Sequence, residues 1–296
     1  MVSHFSREDL SEVFENEESR KRELNWFNGQ VIFLTGGTGG LGGCLVYKLA
    51  LQLPVHKIFV LCRVSKNRAI ARWKENMPTH VSSILASRKV VFIVGDMTHP
   101  NYGIETTIII NCAANTSLTL GLYEAVIENC LPTLELTKLA LKCLRLSKFV
   151  HVSNAYANSF LPNGVVLEHC YDHPGSDQCP EKELSQILSD GSTSQTAAFA
   201  WPCAQAKHLA ERLINIRHPD LPVMILRPSF LGPAIQHPYP LYDVNGTSPL
   251  SVLGEIYLLD DGGNRVWHTS PGQLQRADIS ARVSFSGNPG QKWHAE

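Results

Sequence analysis

Three glycines are the first residues whose spacing points to chemistry: Gly36, Gly39 and Gly42 recur in Thr35-Gly36-Gly37-Thr38-Gly39-Gly40-Leu41-Gly42. Glycine lets a chain turn tightly and lets its backbone approach a pyrophosphate, and a helix that starts there turns its N-terminal amides toward the negative charge. Many flexible turns match a glycine triplet; here it follows the apolar run Gln30-Val31-Ile32-Phe33-Leu34-Thr35 and opens a helical pattern, which is the context a dinucleotide site requires. A second apolar run ends in Cys62-Arg63-Val64-Ser65-Lys66, with Arg68 close behind. An acidic residue there would face the ribose hydroxyls of NAD, whereas a cation suits a 2′-phosphate, so Arg63 predicts NADPH. Asp96 and Met97, in Val94-Gly95-Asp96-Met97, fall where the adenine would lie, although an aspartate there also suits a helix cap or turn.

These residues need elements that place turns at strand ends. Short apolar, β-branched runs predict strands over 30–35, 57–62, 90–94, 107–111, 148–152 and 223–226. Helical patterns fall at 7–26, 41–53, 67–76, 120–146 and 204–216, and Pro132 either kinks the long one or opens its second half. Residues 160–198 read as irregular, too long for a plain connector, and such loops usually carry a binding role. Strands alternating with helices imply right-handed crossovers and a doubly wound α/β parallel sheet, the Rossmann fold.

Composition narrows the partners. With 26 Lys+Arg against 27 Asp+Glu the formal charge is -1, which argues against a sequence-blind grip on nucleic acid or on an anionic membrane. Apolar runs stop short of the ~18 residues of a membrane span, and the polar start Met1 to Arg22 has no signal-peptide core, so a cytoplasmic protein is expected. The cysteines at 44, 62, 112, 130, 143, 170, 179 and 203 form no Cys-x-x-Cys pair and read as reduced, buried thiols. Histidines 169, 173, 208 and 237 lack ligand spacing and read mostly as surface residues; no metal centre is expected.

Several motifs occur in order: the glycine turn, Gly95-Asp96-Met97, Asn111-Cys112-Ala113-Ala114-Asn115, His151-Val152-Ser153-Asn154-Ala155-Tyr156, Gln205-Ala206-Lys207-His208-Leu209-Ala210-Glu211-Arg212 and Leu226-Arg227-Pro228-Ser229. Over about residues 29–235 this set resembles the extended short-chain dehydrogenase/reductase superfamily. It is similar, more closely, to its NADPH-dependent thioester reductases: the male-sterility type fatty acyl-CoA reductases and the terminal reductase domains of polyketide and nonribosomal peptide synthetases. The resemblance implies reduction of an acyl thioester, on CoA or on an acyl carrier protein, to an aldehyde or alcohol. It implies cofactor contacts from Thr35, Gly36, Gly39, Gly40, Leu41, Gly42, Arg63, Asp96, Met97, Ala113, Ala114, Asn115, Lys207, Pro228 and Ser229, the loop after the last strand lining the nicotinamide and substrate. Asn129 resembles the helix asparagine that braces the lysine side.

In such sites a tyrosine hydroxyl and a Ser or Thr hydroxyl meet the charge that builds on the carbonyl oxygen. A lysine one helical turn beyond the tyrosine lowers its pKa and grips the nicotinamide ribose. The chain departs from this pattern: Cys203 stands four residues before Lys207, and Asn154 takes the Ser/Thr place, with Ser153 adjacent. Three readings stay open. Cys203 acts as the acid, its thiol titrating near neutrality beside Lys207; Tyr156 substitutes; or the cofactor site is kept and catalysis largely lost. A non-catalytic NADP(H)-binding protein and a sugar-nucleotide epimerase or dehydratase of the same superfamily are the competing functions. Residues 1–28 read as a helical lead-in, 29–235 as the NAD(P)-binding domain, and 236–296 as a short substrate region with a loosely ordered tail.

Overall fold

The computed structural model describes residues 17–95, 105–117, 119–162, 164–173, 179–229, 231–234, 236–240, 242 and 244. Among these, six strands form one sheet: β1 Val31–Thr35, β2 Lys57–Cys62, β3 Val90–Val94, β4 Ile108–Asn111, β5 Lys148–Val152 and β6 Val223–Leu226. Their order is β3-β2-β1-β4-β5-β6, with each neighbouring pair parallel. All C-terminal strand ends therefore lie at one edge, and the order reverses between β1 and β4, the crevice where such sheets take their ligands. The helices are α1 Glu17–Phe27, α2 Gly40–Tyr47, α3 Lys66–Asn76, α4 Val81–Ala86, α5 Leu122–Ala125, α6 Leu131–Ala140, α7 Pro180–Asp190 and α8 Pro202–Arg217.

Alternation along each strand divides the core. Ile32, Leu34, Ile58, Val60, Ile108 and Ile110 face α2, α3 and α4, packing on Val46, Leu49, Trp73 and Ile84. Phe33, Phe59, Ile109 and Phe149 face the opposite side and pack on Leu136 and Ala140 of α6. Each fully buried Ile, Leu or Phe contributes about 1.5–3 kcal/mol of transfer free energy, so both faces hold the strands in register. A third cluster joins α5, α6, α7 and α8 through Val126, Leu134, Leu184, Ile187, Leu209 and Leu213.

The structure corrects the expected elements in three places. The long helix does not run from 120 to 146. Leu122–Ala125 passes into a π turn, Val126–Cys130, where the Leu131 amide donates to the Val126 carbonyl five residues back. Pro132, which lacks an N–H and crowds the carbonyl four residues earlier, stands in the first turn of α6; the widened turn before it accommodates the ring. After Ala140 the chain leaves the helix in tight turns, Lys142 to Leu139 and Cys143 to Ala140. Second, the region 160–198 contains helix α7. Pro180 starts it, Leu184 and Ile187 bury one face, and Gly191 at φ 75° ends it. Third, the thiols are unevenly buried: none is in a disulfide, but Cys179 is exposed and Cys44, Cys112 and Cys170 are half-buried. Residues 7–16 of the expected lead-in helix and the expected loose tail lie outside the described residues. No helix of the described residues is long and apolar enough to cross a membrane.

Candidate active site

The glycine turn is built so that side chains would break it. Gly36 has φ 71°, and a Cβ there would stand 2.7 Å from the Ala113 nitrogen and 2.9 Å from the Cys112 carbonyl carbon, so β1 and the loop after β4 touch backbone to backbone. A Cβ on Gly42 would stand 2.0 Å from the Gly36 carbonyl oxygen, which seats α2 directly on the turn. Gly39 caps α2 in an extended conformation, and its own N–H donates to the Gly36 carbonyl (2.9 Å). Gly40 and Leu41 begin the helix, so their amides are among those without intrahelical acceptors. The Trp73 indole N–H donates to the Gly37 carbonyl (2.8 Å), tying α3 under the turn. A turn that admits no side chain at Gly36 or Gly42, at the sheet's reversal point and at a helix N-terminus, suits the pyrophosphate of a dinucleotide. Arg63 lies exposed just past β2, beside the N-cap of α3, where the Ser65 hydroxyl accepts from the Arg68 amide (3.1 Å). Asp96 and Met97 lie outside the described residues.

A hydrogen-bonded chain leads from this turn to α8. The Thr35 hydroxyl donates to Asn111 Oδ1 (2.8 Å) and accepts from the Ala113 amide (3.1 Å). Asn111 Nδ2 donates to the Thr133 hydroxyl (3.0 Å) and lies 3.3 Å from His151 Nδ1. The Thr133 hydroxyl donates to the Asn129 carbonyl (2.8 Å). Asn129 sits in the π turn and clamps the next loop, Oδ1 accepting from the Asn115 amide (2.7 Å) and Nδ2 donating to the Asn115 carbonyl (3.0 Å) and to Cys203 Sγ (3.5 Å). Asn129 thus braces the 113–115 loop, with half-buried Ala114 at its middle, and touches α8 at Cys203, one turn before the lysine.

Lys207 is buried, one helical turn past Cys203, and its Nζ donates to the Val152 carbonyl (2.8 Å) at the end of β5. Burial lowers its pKa to about 8, against the opposing pull of Cys203, Glu211, Cys112 and Cys130. Cys203 is also buried; its thiol reaches toward the carbonyls of Asn115 (3.4 Å) and Ser117 (3.6 Å). Burial raises the Cys203 pKa, with Lys207 and the Asn129 hydrogen bond only opposing it, so the reading of a thiol titrating near neutrality is not supported. Tyr156 lies on the turn Ala155–Asn158, its ring 4.5 Å from that of Trp201, and burial raises its pKa.

Ser153 and Asn154 follow directly on the carbonyl that Lys207 holds. Their buried Ser153 Oγ and Asn154 Oδ1 have no hydrogen-bond partner among the described residues, nor has Ser229 Oγ in the loop after β6. Backbone bonds staple these loops together, Ser153 N–H to the Leu226 carbonyl (2.7 Å) and Ala155 N–H to the Pro228 carbonyl (2.8 Å). Buried polar groups normally find partners, so these atoms are available to a bound molecule. Arg227 does not point that way: its guanidinium binds the buried Glu211 carboxylate (Nε to Oε1 3.0 Å) and the His169 carbonyl (3.2 Å), so the expected lining narrows to Pro228 and Ser229.

Three buried polar residues around these elements escaped sequence reasoning. Asn158 is buried, and neither of its amide atoms has a partner among the described residues. His151 is buried and held well below its usual pKa by burial, with Lys207 and Arg227 adding to the effect; its place in the strand motif was visible, its role was not. His208, expected at the surface, is buried, its Nε2 2.8 Å from the Tyr171 carbonyl and its ring against Phe160 and Phe199.

A family model described as male sterility protein, an NAD-binding domain, matches residues 34–248. Fatty acyl-CoA reductase 1 of Arabidopsis thaliana is 24% identical over 325 residues, covering 90% of this chain and 66% of that protein. Fatty acyl-CoA reductase 1 of Mus musculus is 28% identical over 257 residues, covering 77% of this chain and 48% of that protein. The chain thus spans between about half and two thirds of these relatives. Among solved structures, the terminal R domain from the myxalamid PKS-NRPS biosynthetic pathway superposes with a TM-score of 0.54 at 20% identity, covering 85% of this chain and 61% of that one. That likeness is one of fold.

Proposed function

The chain belongs to the male sterility protein family of extended short-chain dehydrogenases/reductases, and from that premise we propose that it is an NADPH-dependent reductase of acyl thioesters, carried on CoA or on a carrier protein, slowed by Cys203 in the tyrosine's place. Residues 29–235 form its cofactor-binding unit in this reading, with the substrate region beyond. The observation that carries it is Lys207, buried beside unpartnered Ser153 Oγ and Asn154 Oδ1 across from the glycine cradle.

A bound nicotinamide cofactor supplies hydride. The chain's own groups do the rest. The turn at Gly36, Gly39 and Gly42 and the first amides of α2 would hold the pyrophosphate, Arg63 would meet the 2′-phosphate, and the 113–115 loop would contribute further contacts to the cofactor. The Ser153 hydroxyl, without a partner among the described residues, donates to the thioester carbonyl oxygen. Lys207 adds positive charge beneath it, while its bond to Val152 fixes the strand end that carries Ser153. Proton delivery is the weak link. The Cys203 thiol is a poor donor turned to backbone carbonyls, and Tyr156 is the phenol left in the neighbourhood.

The engagement of Cys203 with those carbonyls favours, as a second reading, a protein that binds NADP(H) without turnover. One experiment separates the two: NADPH and NADH are titrated into the wild type and Cys203→Tyr, then NADPH oxidation is followed with acyl-CoA thioesters and long-chain aldehydes. The expected result is tighter binding of NADPH than NADH, slow wild-type turnover, and a rate gain of about a hundredfold with the phenol restored, the lower range for a positioned general acid. Binding without oxidation by either protein establishes the second reading, and a preference for NADH overturns the role of Arg63.

A further inference from the structure

The edge of the sheet opposite the glycine cradle has features that the reductase reading leaves unused. Because all six strands run parallel, their N-terminal ends share that edge. Lys57 opens β2, Arg88 lies just before β3, Lys148 opens β5, and Lys142 and Arg145 lie on the turn between α6 and β5. Glu105 before β4 and Asp220 before β6 are the carboxylates on the same strand-entry segments of the described residues. From Leu136 to Leu167 the sequence contains no Asp or Glu at all. In a chain whose formal charge is -1, this is a local excess of positive charge.

The turn also carries apolar side chains that the fold leaves out. Leu144 is 83% exposed and Leu141 56% exposed, interleaved with Lys142 and Arg145. Lys142 directly follows the end of α6 and complements its dipole, but Arg145 and Leu144 lie beyond the last helical turn and gain nothing from it. A stable protein partner would need on the order of 800 Å² of complementary surface on each side, whereas two projecting leucine tips among cations suit an interface with apolar depth and anionic headgroups.

We propose that this edge, centred on the turn 141–147, docks on an anionic lipid surface, with Leu141 and Leu144 entering the headgroup layer. The glycine cradle then faces away from the lipid. This inference is independent of whether the chain turns over a thioester.

The test is co-sedimentation of the full chain with phosphatidylserine-containing and with pure phosphatidylcholine vesicles, at low and high salt. Binding is expected to the anionic vesicles alone and to weaken with salt. The Lys142→Gln/Arg145→Gln variant should bind roughly twenty-five-fold more weakly, since each cation near such a surface contributes about fivefold. Leu144→Ser should bind severalfold more weakly. Both variants alter exposed side chains, so their NADPH affinity and melting temperature should match the wild type and show that they fold. Equal binding to neutral vesicles, wild-type binding by both variants, or binding to an acidic carrier protein in place of vesicles would each overturn the proposal.

Discussion

Gly42→Ala and Gly39→Ala each add one methyl group to the same turn, yet they separate what the turn does for the fold from what it does for a ligand. At position 42 the new Cβ would lie 2.0 Å from the Gly36 carbonyl oxygen and 2.9 Å from Gly37 Cα, and both neighbours are backbone. The turn must move, and overpacking of this kind costs about 1–3 kcal/mol. At about 2–4 °C of melting temperature per kcal/mol for a domain of 150–250 residues, a drop of several degrees is expected. At position 39 the nearest atom is the same oxygen at 3.4 Å, an ordinary contact, and φ is -86°, open to alanine. The fold loses only the preference for glycine over alanine at an N-cap, on the order of half a kcal/mol. A ligand pyrophosphate lying on the turn would, however, meet the methyl group. Fluorescence titration with NADPH beside a thermal melt is therefore expected to show Gly42→Ala losing stability and affinity together. Gly39→Ala should lose at least tenfold in affinity, about 1.4 kcal/mol, with its melting temperature nearly kept. Wild-type NADPH affinity in Gly39→Ala would refute the assignment of the turn as a phosphate cradle and leave it as a packing device.

Two further perturbations probe the residues around α8. Burial holds Lys207 near pKa 8, below its ordinary 10.5, so between those values the unfolded chain binds more protons and stability rises with pH; below pH 8 the cost of the buried charge is present in full. Urea unfolding across that window should show wild type gaining up to about 3 kcal/mol relative to Lys207→Met, and parallel profiles would contradict the buried ammonium. Arg212→Met should destabilise by about 3–5 kcal/mol, because Arg212 pairs with Glu183 at 2.6 Å and Glu183 is almost fully buried. The Arg212→Met/Glu183→Leu double variant should recover part of that in the same urea assay, and a single-variant loss below about 1 kcal/mol would show that α7 is not held by this pair.

The central strands β1 and β4 were legible because each is a short apolar, β-branched run buried along its whole length, so its composition needs no partner to be recognised; the edge strands β3 and β6 are only half-buried over most of their length but keep the same apolar composition. The helices were harder. Helix α7 lies in a stretch whose Gly, Pro, Ser and Asp content reads as loop, and only Leu184 and Ile187 mark its buried face. It also has a polar anchor: Gln205 Nε2 and Arg212 both bind Glu183 across the interface, pairings of residues more than twenty positions apart that no local pattern reveals. The glycine cradle was legible for the opposite reason, since its constraint is local and steric. The unpartnered atoms of Asn158 and Ser229 were invisible because an orphaned donor is a property of the surroundings.

The pair Cys203 and Lys207 shows why a retained lysine is weak evidence for turnover. In this fold Lys207 has a structural duty as well, its Nζ holding the Val152 carbonyl at 2.8 Å, so losing the phenol one turn away would not release it. The thiol, in turn, lies against the Asn115 and Ser117 carbonyls under the Asn129 amide, which closes the 115–117 loop onto the helix face where a phenol ring would need room. Cysteine at 203 and the clamp of Asn129 on Asn115 are therefore mutually consistent, and reversing one without the other tests whether the loop yields. If Cys203→Tyr folds and gains activity, the loop opens and the departure from the family pattern is a single side chain. If it folds, binds NADPH and stays inactive, the 115–117 loop has closed over the position, and Asn129 becomes the residue to release.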